Sequence, residues 1–444
     1  MKNLRYFAFG FVVTCSALFI TTPSLFAKEE KAQTQQEKVN SRLEALAKFT
    51  KVIGITEKYY VDKLTIQELI DKSLKGLMEN LDAHSAYLTA SDFDNLKVQT
   101  DGEFGGLGIT VGMRDGALTV IAPLEGTPAD KAGLKAGDII LKINDKSTLN
   151  MTIDEAVSIM RGKVGTPIDL TIVRKGESKP LQVHIVRGVI KIDSVYDKNI
   201  GDDILYIRIT SFDKKVVKGV KKAIKKAPWA KGIIIDLRNN PGGLLDQAVG
   251  TVDLFVDSGN IVSQKGRYKE DDKVYKATSS ATITHMPLVV LVNGGSASAS
   301  EIVSGALQDH KRAVLVGEKT FGKGSVQIVI PITKDEKEAI KLTIARYYLP
   351  SGRTIQAVGV TPDITVYPGE VKTHKDSFML KEAELKQHLK KELEKVDGKK
   401  EQKESKKDKN DKKIITSEQL QKDLQLKEGV DIIKALIITQ GAKK

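Results

Sequence analysis

The sequence predicts a multidomain chain of mixed α/β and α+β class, and three observations carry that prediction. The chain has 444 residues, which at ~150 residues per domain means two to three folding units. The apolar spacing changes twice: from helical to a glycine-punctuated strand pattern near Glu103, then to long apolar strands alternating with helices from about Val189. Two of those strands, at 232–237 and 287–292, each run into a small-residue turn and a helix start. Such strand ends are where ligands collect in open α/β sheets.

Composition excludes several function classes. Apolar residues make up 41% of the chain, enough for a sizeable core, so wholesale disorder is excluded. The single cysteine, Cys15, excludes a disulfide framework and a Cys-rich metal centre. His84, His184, His285, His310, His374 and His388 form no HExxH motif and no pair at helical ligand spacing, so neither a metal nor a cofactor is expected. The net charge is +13, from 70 Lys and Arg against 57 Asp and Glu. Both signs are abundant and no basic aromatic motif occurs, so nucleic acid is not an expected partner.

The first residues address the chain. Lys2 and Arg5 precede an apolar stretch from Tyr6 to Ile20, followed by Thr21, Thr22, Pro23 and Ser24 and a candidate cleavage after Ala27. This pattern reads as a secretory signal over 1–27, which places the mature chain in the periplasm or another extracytoplasmic compartment. The stretch is short for a span of ~20 residues, but Leu25 and Phe26 extend it, and Leu25 is not the small residue expected before a cut. An uncleaved membrane tether therefore stays open. Cys15 lies inside the stretch, so a cleaved chain holds no thiol.

The remaining segments follow in order. Residues 28–97 read as a polar linker to about Asn40, then helices over 41–81, where Leu43, Leu46 and Ala47, and later Leu69, Ile70, Leu74, Leu77 and Met78, recur at helical spacing. A loop at 81–88 and a short helix at 91–96 follow. Residues 98–188 form a compact strand-rich unit. It has a glycine-rich loop from Gly105 entering a strand at Ile109, strands at 118–121 and 138–143, a short helix at 128–134 and a helix at 152–160. Two more strands, at 168–174 and 181–186, complete it. Asp154 and Glu155 suit the first turn of the longer helix. Arg161 ends that helix, as a charge on its dipole or facing the groove or the next domain. Residues 189–370 are the α/β unit, with a strand at 204–209 and a basic helix at 214–226 that reads as a solvated face. Residues 371–444 form a charged tail, expected to be disordered over 397–413 and helical over 417–436. The apolar faces of that tail helix and of 41–81 are expected to lie outside the core.

Three segments of the α/β unit carry candidate chemistry. Ser296, Ser298 and Ser300 stand at a helix start, where free N–H groups and the helix dipole favour developing negative charge. The competing reading is an ordinary helix cap. Lys323 sits between glycines, after Phe321 and before an apolar strand at 326–330. A lysine becomes a base only when desolvation lowers its pKa; the competing reading is a surface lysine. Asn240-Pro241-Gly242-Gly243 offers strand-end amides that suit an oxyanion hole or a plain turn.

The motif Gly106-Leu107-Gly108-Ile109, with the later Ala132-Gly133-Leu134-Lys135-Ala136-Gly137-Asp138, resembles a PDZ domain. The resemblance implies that an extended chain end adds as a strand, its carboxylate held by backbone N–H groups of Gly106, Leu107, Gly108 and Ile109. The ordered motifs from residue 81 to 368 resemble the carboxyl-terminal processing peptidases, PDZ-bearing serine proteases with an α/β core of crotonase/ClpP-like type. They include Leu81–Leu88, Asp236–Gly243, Gly294–Ile302, Gln308–Arg312, Gly317–Gln327, Pro350-Ser351-Gly352-Arg353-Thr354-Ile355-Gln356 and Thr361-Pro362-Asp363.

That resemblance implies Ser298 as nucleophile, Lys323 as general base and Gln327 as the residue orienting the lysine. It places oxyanion donors at the Ala299 amide and at Gly242 or Gly243, between which the sequence does not choose. It implies an exported endopeptidase that takes unstructured protein C-termini, builds a homodimer through flanking helices and leaves room for a regulatory adaptor. Ala83, where the family usually has Pro, and the long Lys/Glu tail are departures that bear on assembly. Three rivals remain. A non-catalytic PDZ adaptor of the cell envelope has no reason to keep Ser298, Lys323 and Gln327 together. A hydrolase of non-peptide acyl groups has little use for a PDZ domain. A triad through His310, beside Asp309, places the histidine at the far end of the helix that starts at Ser298.

Overall fold

The computed structural model describes residues 23–371 apart from 115 and 202, residues 389, 390 and 393, and residues 414–441. The apolar stretch at 6–20 and the charged stretch at 397–413, with the expectations placed on them, lie outside the described residues. Among the described residues no helix is long and apolar enough to cross a membrane.

Residues up to Leu81 form a unit of their own. Its helices are Pro23–Tyr59 and Ile66–Glu79. The first helix runs through residues 28–40, where a linker was expected. Polarity does not break a helix; the Glu, Lys, Gln and Ala of this stretch are strong helix formers, and no Gly or Pro interrupts it before Gly54. The second helix opens on a capping box: Glu68 N–H donates to Thr65 Oγ1 at 3.3 Å, and Thr65 N–H donates to the Glu68 carboxylate at 2.7 Å. Leu43, Leu46, Phe49 and Val52 remain exposed along the first helix.

The second unit starts at Asp82. Ala86–Leu88, expected as loop, is an edge strand on Ala339–Tyr348, with Tyr87 opposite Ile340. Three residues are too few to show a period, and the partner lies far along the chain. Helix Ala90–Asp101 follows, capped by Thr89 and ended by Gly102 at φ +66°. The chain thus enters this sheet before the strand-rich unit begins, and that unit is an insertion.

The insertion is a five-strand antiparallel path in the order Ile109–Arg114, Ala117–Pro123, Ile139–Ile143, Pro167–Val173, Leu181–Val186, with the short strand Lys146–Ser147 beside the third. Leu118, Val120, Ile143 and Leu170 fill its core, and helix Ile153–Met160 is capped by Thr152 and Glu155. Glu103–Gly106 is a strand rather than a loop; it pairs with Gly188–Lys191 where the chain enters and leaves the insertion. Glycine is required there, because a Cβ on Gly105 would lie 2.0 Å from the Gly162 carbonyl oxygen.

The α/β sheet has six strands in the order Val195–Ile200, Ile204–Ile209, Gly232–Asp236, Leu288–Val292, Val314–Gly317, Ile364–Thr365. The first pair is antiparallel and the rest are parallel. Ile207, Ile235, Val290 and Leu315 pack on one face with helices Val216–Lys225, Leu245–Asp253 and Ala299–Asp309. Ile234, Val289, Leu291 and Val316 pack on the other with helix Leu424–Gly441. Burial of both faces explains the uninterrupted apolar runs of the strands.

It also corrects the expectation that the tail helix lies outside the core. Val430 and Ile433 are 1% and 0% exposed. The parallel sheet needs a second helical layer, and the tail supplies it. A smaller sheet orders Ala86–Leu88, Ala339–Tyr348, Asn260–Gly266 and Lys273–Lys276, with Ser325–Pro331 also paired to Ala339–Tyr348.

Candidate active site

The three candidate segments meet at the C-terminal ends of the parallel strands. After Leu288–Val292 the serines divide by environment. Ser296 and Ser300 are fully buried. Ser296 Oγ donates to the Leu237 carbonyl at 2.8 Å, and Ser300 Oγ donates to the Asn240 carbonyl at 2.9 Å. Both lock the serine turn to the glycine turn. Ser298 is half-buried and lines the cavity described below. Its φ of +54° puts a non-glycine residue in a costly backbone region, at the N-terminus of helix Ala299–Asp309.

Asn240, fully buried, organises the glycine turn. Its Nδ2 donates to the Ile209 carbonyl, its Oδ1 accepts the Gly242 N–H, each at 2.9 Å, and its carbonyl accepts the Ala297 N–H at 3.0 Å. A Cβ on Gly242 (φ +101°) would lie 2.9 Å from Ser298 Cβ and 3.0 Å from the Ala299 nitrogen. One on Gly243 (φ +145°) would lie 2.3 Å from the Phe212 carbonyl oxygen. Only glycine fits either position. The two amides differ: Gly242 N–H is taken by Asn240, whereas those of Gly243 and Ala299 have no hydrogen-bond partner among the described residues.

Glu301 ties the serine to the lysine. Its carboxylate is fully buried. Oε2 accepts the N–H groups of Ser298 and Lys323, each at 2.8 Å; Oε1 accepts the Gly322 N–H at 2.7 Å and the Thr320 hydroxyl at 2.6 Å. The two backbones therefore hang on one oxygen atom. Burial is the main cause that pushes the Lys323 pKa below the usual lysine value; the charge of Lys341 adds to it, against Asp82 and Glu301. That is the direction a base requires. Gln327 Nε2 donates to Ser325 Oγ at 2.8 Å and to Thr343 Oγ1 at 3.1 Å.

Ser298, Lys323 and Gln327 line one cavity of about 690 Å³. Its apolar wall includes Phe93, Leu96, Leu244, Val326 and Tyr347. Phe93 and Leu96 come from the helix that precedes the insertion, and no local pattern in the sequence marks them as lining residues. His310 caps the C-terminal end of the helix that Ser298 opens, about 18 Å away at 1.5 Å per residue, and its Nε2 bonds the Asn260 carbonyl at 2.7 Å. This removes the His310 triad. The histidine that feels Lys323 is His84, whose pKa is lowered first by burial and then by that charge.

In the insertion, the Leu107 carbonyl accepts the Ala129 N–H at 2.9 Å, and the Gly108 carbonyl accepts the Leu124 N–H at 2.8 Å and the Thr127 hydroxyl at 3.1 Å. Gly106 ends the entry strand, and Ile109 starts the strand at the end of the sheet order. Arg161 hydrogen-bonds Asn95 and lies 4.9 Å from the Phe104 ring, so it faces the helix before the insertion.

Residues 203–366 match the model of peptidase family S41, and residues 119–174 match a PDZ domain. A carboxy-terminal-processing protease of Bartonella bacilliformis is 42% identical over 397 residues, covering 88% of each chain. The carboxy-terminal processing protease CtpA of Bacillus subtilis is 36% identical over 361 residues, covering 80% of this chain and 74% of that one. Among solved structures, a photosystem II D1 C-terminal processing protease aligns over 72% of this chain and 92% of its own, with a TM-score of 0.41 and 25% identity.

Proposed function

This chain belongs to peptidase family S41 and is a serine-type peptidase with a PDZ domain; from that premise we propose that Ser298 and Lys323 are its catalytic pair. Neutral Lys323 takes the Ser298 proton as Oγ attacks the peptide carbonyl. The resulting ammonium protonates the leaving amine, and water then releases the acyl-enzyme. The N–H groups of Gly243 and Ala299 receive the oxyanion, because Gly242 has given its own to Asn240. The observation that carries this reading is the suspension of both residues from Glu301 beside one cavity.

Substrates are proteins with unstructured C-terminal tails, cut internally once the tail is held. The tail pairs with Ile109–Arg114, and its carboxylate meets the amides of Leu107, Gly108 and Ile109; the Gly106 amide, expected to join them, is spent in the pairing with Gly188. The adaptor reading is set aside by the peptidase family. The protein works outside the cytoplasm, reached through residues 1–27 as a cleaved signal or as a tether. It assembles as a homodimer through the apolar residues exposed on helix Pro23–Tyr59. The domains are 28–97, 98–188 for the PDZ domain and 189–370 for the protease core, with 371–444 returning to that core through its last helix.

The decisive experiment incubates the purified protein with an unstructured protein substrate. Ser298→Ala and Lys323→Ala are each expected to abolish cleavage with the melting temperature kept. Turnover by Lys323→Ala overturns the pair. Light scattering that finds a monomer at micromolar concentration overturns the dimer.

A further inference from the structure

We propose that Asp82 is a positioning residue for the catalytic lysine, acting through the Thr343 hydroxyl and the Gln327 side-chain amide. The proposal rests on the Ser298–Lys323 reading. It concerns residues that the chain separates widely and the fold brings into one line: Thr343 Oγ1 lies 3.2 Å from Asp82 Oδ1, across 261 residues of sequence, and 3.1 Å from Gln327 Nε2.

Proton bookkeeping gives the line a direction. Asp82 is held by its own turn: Oδ1 accepts the N–H groups of His84 and Ser85 at 2.7 and 2.8 Å, and Oδ2 accepts the Ser85 hydroxyl at 2.7 Å. Burial opposes its charge, but the bonds from Ser85, His84 and Thr343 prevail and bring its pKa to about 2. An ionised carboxylate only accepts. The single Thr343 hydroxyl proton therefore goes to Asp82, the charged acceptor. The oxygen of Thr343 can then only accept from Gln327, so Gln327 presents its NH₂ group to Thr343. The second N–H of that group goes to Ser325 Oγ at 2.8 Å.

Both amide hydrogens are thereby assigned, and the side chain is held against a flip. Its Oε1, which has no hydrogen-bond partner among the described residues, is left for the cavity that Lys323 shares. A carbonyl oxygen there accepts from the lysine ammonium and aims Nζ. The same turn is pinned to the strand by a second bond, from Thr343 N–H to Ser85 Oγ at 3.1 Å. The Asp82-Ala83-His84-Ser85 motif thus has a task that neither peptide binding nor the serine turn explains.

The test separates this line from simple charge effects. The charged or titratable groups acting on Lys323 are Lys341, Asp82 and Glu301, with His84 nearby. Thr343→Val cuts the line while leaving all of these in place, and Thr343→Ser keeps the hydroxyl. The readout is kcat, KM and the pH profile of kcat/KM on an unstructured protein substrate, with melting temperature measured alongside. Thr343→Val is expected to lower kcat by about 10- to 100-fold at a KM within twofold, and to move the lysine ionisation down in pH. Thr343→Ser is expected to restore the wild-type profile. Asp82→Ala, which removes the acceptor and frees the Thr343 hydroxyl to turn towards Gln327, is expected to match Thr343→Val in kcat. If Thr343→Val does not fold, Thr343→Ala, which also removes the hydroxyl and leaves every charge in place, decides. Wild-type kcat and profile in the folded variants, with Lys323→Ala inactive, overturn the proposal alone. An active Lys323→Ala overturns the underlying catalytic reading instead.

Discussion

The turn Asn240-Pro241-Gly242-Gly243 and the loop Gly106-Leu107-Gly108-Ile109 both carry backbone N–H groups away from a strand, yet they are fastened differently. The first hangs on a fully buried asparagine that bonds Ile209 and Gly242 through its side chain, while its carbonyl accepts from Ala297 and from the Ser300 hydroxyl. A Cβ at either glycine meets backbone atoms within 3.0 Å. The loop is held by carbonyl bonds to Ala129, Leu124 and Thr127, and a Cβ on Gly108 meets a side chain, that of Thr127. An oxyanion exists only briefly, so its donors must be set in advance. A bound chain end is a ground-state ligand, and a loop that adjusts to it loses little. Under the proposed roles, the same residue type serves a fixed oxyanion site in one place and an adjustable carboxylate site in the other.

Changes at the protease site should be the most severe. Lys323→Arg keeps a positive side chain but stays protonated at any usable pH, and cleavage of an unstructured protein should fall by ~10⁴-fold or more. Activity near wild type in that variant would show that the cavity needs a charge and not a base. Asn240→Ala should follow, with kcat down by about 10²- to 10³-fold through loss of the fixed amides. A melting scan should also report a loss of about 1–3 kcal/mol from the unsatisfied groups.

The lysine should next be visible in the pH profile. Its pKa is lowered, and in the proposed mechanism the neutral form is the active one. Activity should therefore climb with pH, about tenfold per unit well below the ionisation, and level off below the free lysine value of ~10.4. A profile flat from pH 6 to 10, with chemistry rate-limiting, would remove Lys323 as base.

The smallest effects should arise at the loop. Amidating the C-terminus of a substrate should reduce kcat/KM severalfold, about the value of a charge-assisted bond, and leave labelling of Ser298 by a small phosphonate unchanged. Equal cleavage of acid and amide would take carboxylate recognition out of the comparison. Gly108→Ala carries strain at φ +78° and should cost about 1 kcal/mol or more of PDZ stability, again without changing that labelling. It is not a silent substitution, because the Thr127 side chain must move as well.

Fold class, the inserted PDZ domain and the residues that carry the candidate chemistry are legible in the amino-acid order alone. Those features are local: strand, glycine turn and helix start lie within a dozen residues, and the backbone freedom of glycine is written at each position. The family resemblance points to Ser298; residue type alone does not separate it from Ser296 and Ser300, which the fold distinguishes by burial and partners. The choice of Gly243 over Gly242 waits on which N–H Asn240 has taken. The helix over 28–40 is not legible from apolar spacing, because polar residues hide that spacing without weakening helix propensity. The strand Ala86–Leu88, the tail helix on the far face of the sheet and the Asp82–Thr343 contact were decided by tertiary structure alone. Each joins segments widely separated along the chain: burial of the open sheet face places the tail helix, ladder pairing places the strand and a hydrogen bond joins Asp82 to Thr343, and no local preference announces any of them.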